Sequence, residues 1–263
     1  MFLNHFNLLH HPFAEKPPAD WILCDSRFQE ALARLTFFQN QGHIALLIGQ
    51  TGVGKSSLLR CFIQNLPLNR YQIIYISLTS VSPNALLRQI VIELGEPPKI
   101  GKDRLFHLIV DKIRKSDAEI FLILDEAHLI SSQSLTDIRL LSSSGIDSQL
   151  PLKLILCAQQ SLAVTLKQSA HADIVNRISI RCRLHPLSKD QTAAYINHRI
   201  HLAGGSDKTF DADAKSIIHD YSGGIPRLIN NIATASLINA ASKNRQIIDD
   251  TLVNNTMSEF HLS

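Results

Sequence analysis

Apolar and polar positions along the chain fall into two regimes. As far as Leu184, five short apolar runs recur, at Ile44 to Ile48, Gln72 to Ser77, Ile120 to Leu124, Leu152 to Cys157 and Ile178 to Leu184, with helical patterns between them. Strands alternating with helices predict a mainly parallel sheet covered on both faces. Leu58, Leu59, Phe62, Ile63 and Leu66 recur at helical spacing, and Pro67 closes that segment. A further helix is predicted from about Asn84, after Ser82-Pro83, to Leu94, with Gly95 and Pro97-Pro98 as its stop. From Pro186 onward the strand signal disappears. Ser188 and Gln191 stand in capping-box spacing at the head of a helix that Gly204-Gly205 ends. Asp211 can cap a second helix to about Tyr221, and Gly223-Gly224 followed by Pro226 separates it from a third. The expected layout is an α/β body over residues 1–185 and a small helical lid over residues 186–263, with no internal repeat and no low-complexity tract.

Composition narrows the class without naming it. A chain of 263 residues with 45% hydrophobic content can bury a good core. No apolar stretch approaches the ~18 to 20 residues needed to span a bilayer, and the opening MFLNHFNLLHHPF lacks a basic n-region and a cleavage site. A cytoplasmic protein with no membrane partner is therefore expected. Cys24, Cys61, Cys157 and Cys182 show no C-x-x-C spacing, and three of them lie in predicted apolar elements, which reads as reduced thiols. The net charge of +3 neither demands nor excludes nucleic acid. His198 and His201 lie three apart on a predicted helix without a third ligand nearby, so they read as solvated histidines and not as a metal site.

The chemistry is concentrated in two motifs. Gly49-Gln50-Thr51-Gly52-Val53-Gly54-Lys55-Ser56-Ser57 fits G-x-x-x-x-G-K-[ST] and sits between an apolar run and an amphipathic one. Gly49, Gly52 and Gly54 let the backbone turn so that successive N–H groups point into one concavity, and the following helix presents its positive end to phosphates. Lys55 is expected to reach the β- and γ-phosphates, and the Ser56 hydroxyl to sit on Mg²⁺. The run IFLILDEAH ends a buried strand in Asp125-Glu126, at the edge where an α/β sheet binds ligands. Asp125 is expected in the Mg²⁺ shell, with Glu126 orienting and deprotonating the attacking water. No N-K-x-D-type element follows a late strand, which favours ATP over GTP. The Asp-Glu-Ala-His tetrapeptide also occurs in nucleic-acid helicases, but the chain has no room for a second motor domain.

The P-loop, the Asp125-Glu126 pair, Gln159 just after the fourth strand, Arg177 before the fifth, and Gly223-Gly224-Ile225-Pro226-Arg227 in the lid together resemble an AAA+ ATPase. That resemblance implies a three-layer αβα body with strand order 5-1-4-3-2, a helical lid, and assembly into a ring or helical filament with ATP bound between neighbouring subunits. It also implies that Gln159 and Arg227 sense the γ-phosphate and that Arg177 is the finger supplied in trans, with Arg181 and Arg183 as rivals. More narrowly, HFNLLHHPF, DEAHLI, Leu140-Leu141, LKLILCAQQSL, LSKDQTAAYINHRIHLAGG and SGGIPRLINN resemble the ExeA-like branch. One group of that branch serves general secretion and pilus biogenesis. The other comprises transposon-encoded ATPases that work beside a DDE transposase, similar in role to TnsC, IstB and MuB. Ala158 replaces the glycine usual before the sensor glutamine, and Gln160-Ser161 stands where a Pro-containing pair is common.

The end of the chain at Ser263, directly after the lid, the IDSQLPLKLIL segment and the closing MSEFHLS favour the transposon group over the secretion and pilus group. The expected function is ATP-dependent regulation of transposition, with duplex DNA and a DDE transposase as partners and secretion or pilus assembly as the alternative. Between the second strand and the Asp125 strand lie Arg88, Lys99, Lys102, Arg104, Lys112, Arg114 and Lys115. In related transposition ATPases this region faces duplex DNA, and Lys99 and Lys102, flanking Gly101, are the leading pair, with Arg104 beside them; such contacts grip phosphates without reading bases.

Overall fold

A computed structural model describes residues 2–67, 69–78, 82–142 and 150–260. The first part of the IDSQLPLKLIL segment, residues 146–149, and the closing residues 261–263 lie outside them. Twelve described α-helices and five strands follow one another as α1 (Phe2–His5), α2 (Ser26–Gln41), β1 (Ile44–Gly49), α3 (Lys55–Gln64), β2 (Tyr71–Ser77), α4 (Pro83–Glu93), α5 (Lys102–Arg114), β3 (Glu119–Asp125), α6 (Ser132–Leu141), β4 (Leu152–Ala158), α7 (Gln160–Thr165), α8 (Ala172–Val175), β5 (Ile178–Leu184), α9 (Lys189–Leu202), α10 (Ala212–Ser222), α11 (Pro226–Ser242) and α12 (Asp250–Phe260). The chain forms two compact units, one of residues 28–50 and 58–184, the other of residues 1–27, 51–57 and 185–263.

The first unit is built on an all-parallel sheet of order β2-β3-β4-β1-β5, which is 5-1-4-3-2 read from the other edge. β1 and β4 are buried along their whole length, as central strands covered on both faces must be, whereas the edge strand β5 alternates between exposed and buried positions. One face packs Leu46, Leu122, Leu124, Leu154 and Leu156 against Leu87 of α4, Ile109 of α5 and Ile138 of α6. On the other, Phe38, Phe62 and Tyr71 meet Phe121 edge to face. Lys153 is buried, yet its ammonium is satisfied: Nζ donates to Gly42 O at 2.9 Å and Phe38 O at 3.4 Å, near the end of α2, and stands 3.4 Å from Glu119 Oε1.

The second unit is helical. The capping box of α9 is complete, with Gln191 N–H donating to Ser188 Oγ and Ser188 N–H to Gln191 Oε1. Its core joins Ile196, Ile200, Phe210, Ile229 and Leu237 to Phe6, Leu8 and Phe13 of the opening segment. Residues 1–27 thus fall in the same compact unit as residues 185–263. The reason is Arg199, 2% exposed, which donates from Nε to Pro12 O at 2.6 Å, from Nη2 to Ala14 O at 3.1 Å and from Nη1 to Tyr195 Oη at 3.1 Å. Burial lowers its pKa below the usual guanidinium value, and the ring of Trp21 covers it.

The cysteines follow the reduced-thiol expectation: no disulfide joins them, and burial pushes the Cys182 thiol up to about 11. His198 departs from expectation. It is half-buried, and desolvation lowers its pKa. Among the described residues no group of three or more His, Cys, Asp and Glu side chains is arranged to hold a metal ion, and no helix is long and apolar enough to cross a membrane.

Candidate active site

β1 ends at Gly49, and the loop leaving it turns through Gly52 (φ +79°) and Gly54 (φ +109°) before α3 starts at Lys55. Both angles lie where an L side chain is strained, so the loop needs glycine twice in three residues. Gly52 carries a second constraint within the helical unit. A Cβ there would stand 2.7 Å from Arg227 Cβ, and Gly52 O accepts the Arg227 N–H at 3.2 Å. Val53 is fully buried and Lys55 is 6% exposed, while Thr51 and Ser56 face solvent and Ser57 is half-buried. An enclosed ammonium in the first turn of a helix is an environment that attracts anions.

At the carboxyl edge of the sheet, Asp125 closes β3 and is 4% exposed. Its Oδ1 accepts the Glu126 N–H at 2.9 Å, and its Oδ2 accepts the Tyr75 hydroxyl from β2. The carboxylate is thus held at both oxygens. The pairing of Ser77 with Asp125 across the β2–β3 ladder sets that register, and Leu78 N–H donates to Asp125 O at 2.9 Å. Glu126, one residue on, takes a left-handed conformation (φ +54°, ψ +33°), which costs a non-glycine residue on the order of 1 kcal/mol. The turn leaves its side chain 38% exposed. Backbone geometry thus places two adjacent carboxylates differently, one held at both oxygens and one partly exposed.

His128 follows on the same turn. Its Nδ1 stands 3.4 Å from Glu126 Oε2, and its Nε2 stands 3.0 Å from the amide nitrogen of Gln159, the first residue after β4. The structure therefore brings Asp125, Glu126 and Gln159 into one constellation within the sheet unit and adds Tyr75 and His128, which the motifs did not single out.

The remaining predicted residues are placed as follows. Arg177 is exposed in the short link between α8 and β5, and its side chain has no hydrogen bond or ion pair among the described residues. Arg181 and Arg183 are exposed on the edge strand, and Arg183 Nη2 donates to Gln160 Oε1 at 3.0 Å. Lys99 is exposed before Gly101 and Arg104 is exposed on α5. Lys102 differs from its neighbours: its Nζ stands 2.7 Å from Oδ1 of the buried Asp137, which neutralises the charge expected to face DNA. Lys112 likewise pairs with Glu96 at 2.8 Å, and that hydrogen bond holds the Glu96 carboxyl below its usual pKa. A cavity of about 470 Å³ in the sheet unit, floored by Leu46, Ile48 and Ile178 and edged by Lys167, Arg181 and Arg183, is not lined by Asp125, Glu126 or Gln159.

Residues 39–166 match the family model described as AAA domain, and the sheet order together with the helical C-terminal region makes this an AAA+ fold. In sequence the chain is 33% identical over 249 residues to General secretion pathway protein A of Aeromonas hydrophila, a match covering 92% of this chain and 45% of that protein. The chain thus spans less than half the length of that relative, whose similarity supports the ExeA-like resemblance. Cdc6p from Pyrobaculum aerophilum superposes with a TM-score of 0.75 at 21% identity, over 94% of this chain and 70% of that one. A Drosophila ORC chain from a complex bound to DNA gives 0.70 at 19% identity, over 100% of this chain and 66% of that one. The Thermotoga maritima RuvB Holliday junction branch migration motor gives 0.64 at 16% identity, over 96% and 74% of the two chains. At these identities the likeness to the solved structures is one of fold.

Proposed function

We propose that this chain is a Mg²⁺-dependent ATPase that assembles with copies of itself on duplex DNA and regulates DNA transposition by recruiting a DDE transposase. The observation that carries the ATPase reading is the pair at the end of β3, with Asp125 held at both oxygens and Glu126 turned outward beside it. Lys55 and the N–H groups of residues 50–57 hold the phosphates. Ser56 Oγ and the Asp125 carboxylate are hard oxygen donors of the kind Mg²⁺ prefers, and the ion, when bound, neutralises charge on the β- and γ-phosphates. Glu126 accepts a proton from the attacking water, and Gln159 and Arg227 respond to the γ-phosphate. Arg177, or failing it Arg181 or Arg183, completes the site of a neighbouring subunit.

The DNA part rests on exposed Lys99 and Arg104 and on fold neighbours that include a Drosophila ORC chain bound to DNA and the RuvB Holliday junction branch migration motor. Binding through phosphates alone suits a protein that accepts many targets. A second reading, an ATPase of general secretion or type IV pilus biogenesis, is favoured by the similarity to General secretion pathway protein A. Filter binding and negative-stain microscopy of the protein with ATP and a random-sequence duplex separate the two. ATP-dependent filaments on DNA, retained longer by Glu126→Gln, support transposition. An active ATPase that never associates with DNA at low salt supports the secretion reading.

A further inference from the structure

Gln159, His128 and Glu126 form a continuous line of polar atoms. His128 is mostly buried, with 14% of its side chain exposed, and its Nδ1 has no hydrogen-bond partner within bonding geometry; Glu126 Oε2 stands 3.4 Å from it. A carboxylate only accepts, so the proton of a neutral ring facing it belongs on Nδ1. Nε2 is then an acceptor, and the group it meets at 3.0 Å is the Gln159 amide nitrogen, which only donates. Both ends of the ring select the same tautomer. The Gln159 carboxamide makes no other hydrogen bond among the described residues, so its second N–H and its carbonyl oxygen stay available.

We propose that His128 is a positioning residue that couples Gln159 to Glu126. This rests on the reading of Glu126 as the group that activates water. An amide drawn toward a phosphate oxygen shifts its bond to Nε2, the ring follows about its own axis, and Nδ1–H changes its distance from the Glu126 carboxylate, making or releasing the bond that is just out of range here. The loose 3.4 Å contact and the exposure of Glu126 leave room for that movement. The coupling needs a ring that faces a partner at each end, Gln159 within bonding distance and Glu126 just beyond it, a reach that a shorter side chain does not have.

Two measurements on the full chain test this. Nitrogen-15 spectra of the nucleotide-free protein should show His128 protonated on Nδ1, and Gln159→Leu, which leaves only the Glu126 end to select the tautomer, should weaken that preference while leaving the other histidines unmoved. In steady-state kinetics His128→Leu should lower kcat about tenfold with KM for ATP within about twofold, and His128→Leu with Gln159→Leu together should lose little more than the worse single variant. His128→Asn, which keeps a donor near Nδ1 but cannot reach Gln159, should behave as His128→Leu does and guards against a packing effect. An Nε2–H tautomer, or fully additive losses, overturns the coupling. If Glu126→Gln turns over ATP at the parent rate, the base assignment and the coupling fall together. If Glu126→Gln is dead and His128→Asn retains parent kcat, the coupling alone falls.

Discussion

Gly52 O accepts the backbone N–H of Arg227 at 3.2 Å, and the two residues approach so closely that Gly52 has no room for a Cβ. The glycine-rich loop and the head of α11 therefore meet in a backbone contact, which ties Arg227, proposed above as a sensor, to the loop.

Gly52→Ala tests that contact. The substitution meets a φ of +79° and a 2.7 Å clash with Arg227 Cβ, so the loop and α11 cannot both keep their places. We expect a loss of about 1–3 kcal/mol in stability and a larger loss of ATP affinity. Urea unfolding and titration with a fluorescent ATP analogue measure the two. An alanine variant that binds nucleotide as the parent does would show that the contact is dispensable.

Lys102 is expected to report on stability before it reports on DNA. Asp137 is 4% exposed, and its Oδ2 already lacks a partner, so Lys102→Ala leaves a buried carboxylate alone. Because Lys102 itself is 33% exposed, the cost is discounted to about 1–2 kcal/mol, and Asp137→Asn in the same chain should recover part of it. Lys99→Ala and Arg104→Ala carry no such penalty and are the cleaner probes. Each should reduce the slope of log K against log[salt] for duplex binding by about one without moving the melting temperature. Unchanged slopes for both would remove this face from the DNA interface.

The strands were legible because central parallel strands are buried on both faces and leave continuous apolar runs; their polar end residues, Glu119 and Asp125, carry no such signal. The P-loop and the Asp-Glu pair were legible because their chemistry is local in sequence. Tyr75 was not, since its hydroxyl reaches Asp125 only through the β2–β3 register, which no local pattern encodes. The docking of residues 1–27 on the lid helices was equally hidden. It depends on Arg199 meeting two carbonyls more than 180 positions away in the chain. His128 was visible only as one letter of a tetrapeptide until β4 placed Gln159 beside it.

Stability of the helical unit should fall in mild acid. Burial lowers the pKa of both His11 and His198 below the ordinary 6.5, with the Arg199 cation adding to each. The folded state therefore prefers these rings neutral. Below about pH 6.5 the unfolded chain takes up protons that the folded chain does not, so stability is full above that pH and declines below it until the folded values are reached. Asp249 and Glu96, whose carboxyls are held below 3.8 and 4.5, add acid sensitivity only in a lower window. Urea midpoints at about pH 7.5 and about pH 5.5 measure the effect, and His11→Asn with His198→Asn should flatten it. Equal midpoints in the parent would refute it.

Arg177 offers the test of whether the site needs a neighbour. Its exposed side chain has no hydrogen bond or ion pair among the described residues, as a group kept for another subunit would, whereas Arg183 is already bonded to Gln160. If Arg177 acts in trans, Arg177→Ala should lower kcat by ~10³ with ATP affinity nearly intact, because the arginine stabilises charge that develops only on the transferred phosphoryl group. Lys55→Ala should instead lose nucleotide binding. A head-to-tail interface then makes a specific demand on mixtures. In equal amounts of the two inactive variants, about a quarter of interfaces pair an intact P-loop with an intact finger, so about a quarter of the parent rate should return. Parent activity per subunit should also rise with protein concentration through the assembly range. Recovery with Arg183→Ala in place of Arg177→Ala, and none with Arg177→Ala, would transfer the role to the edge strand. A specific activity that stays flat from dilute protein upward, with no recovery in any mixture, would mean that each subunit hydrolyses ATP alone.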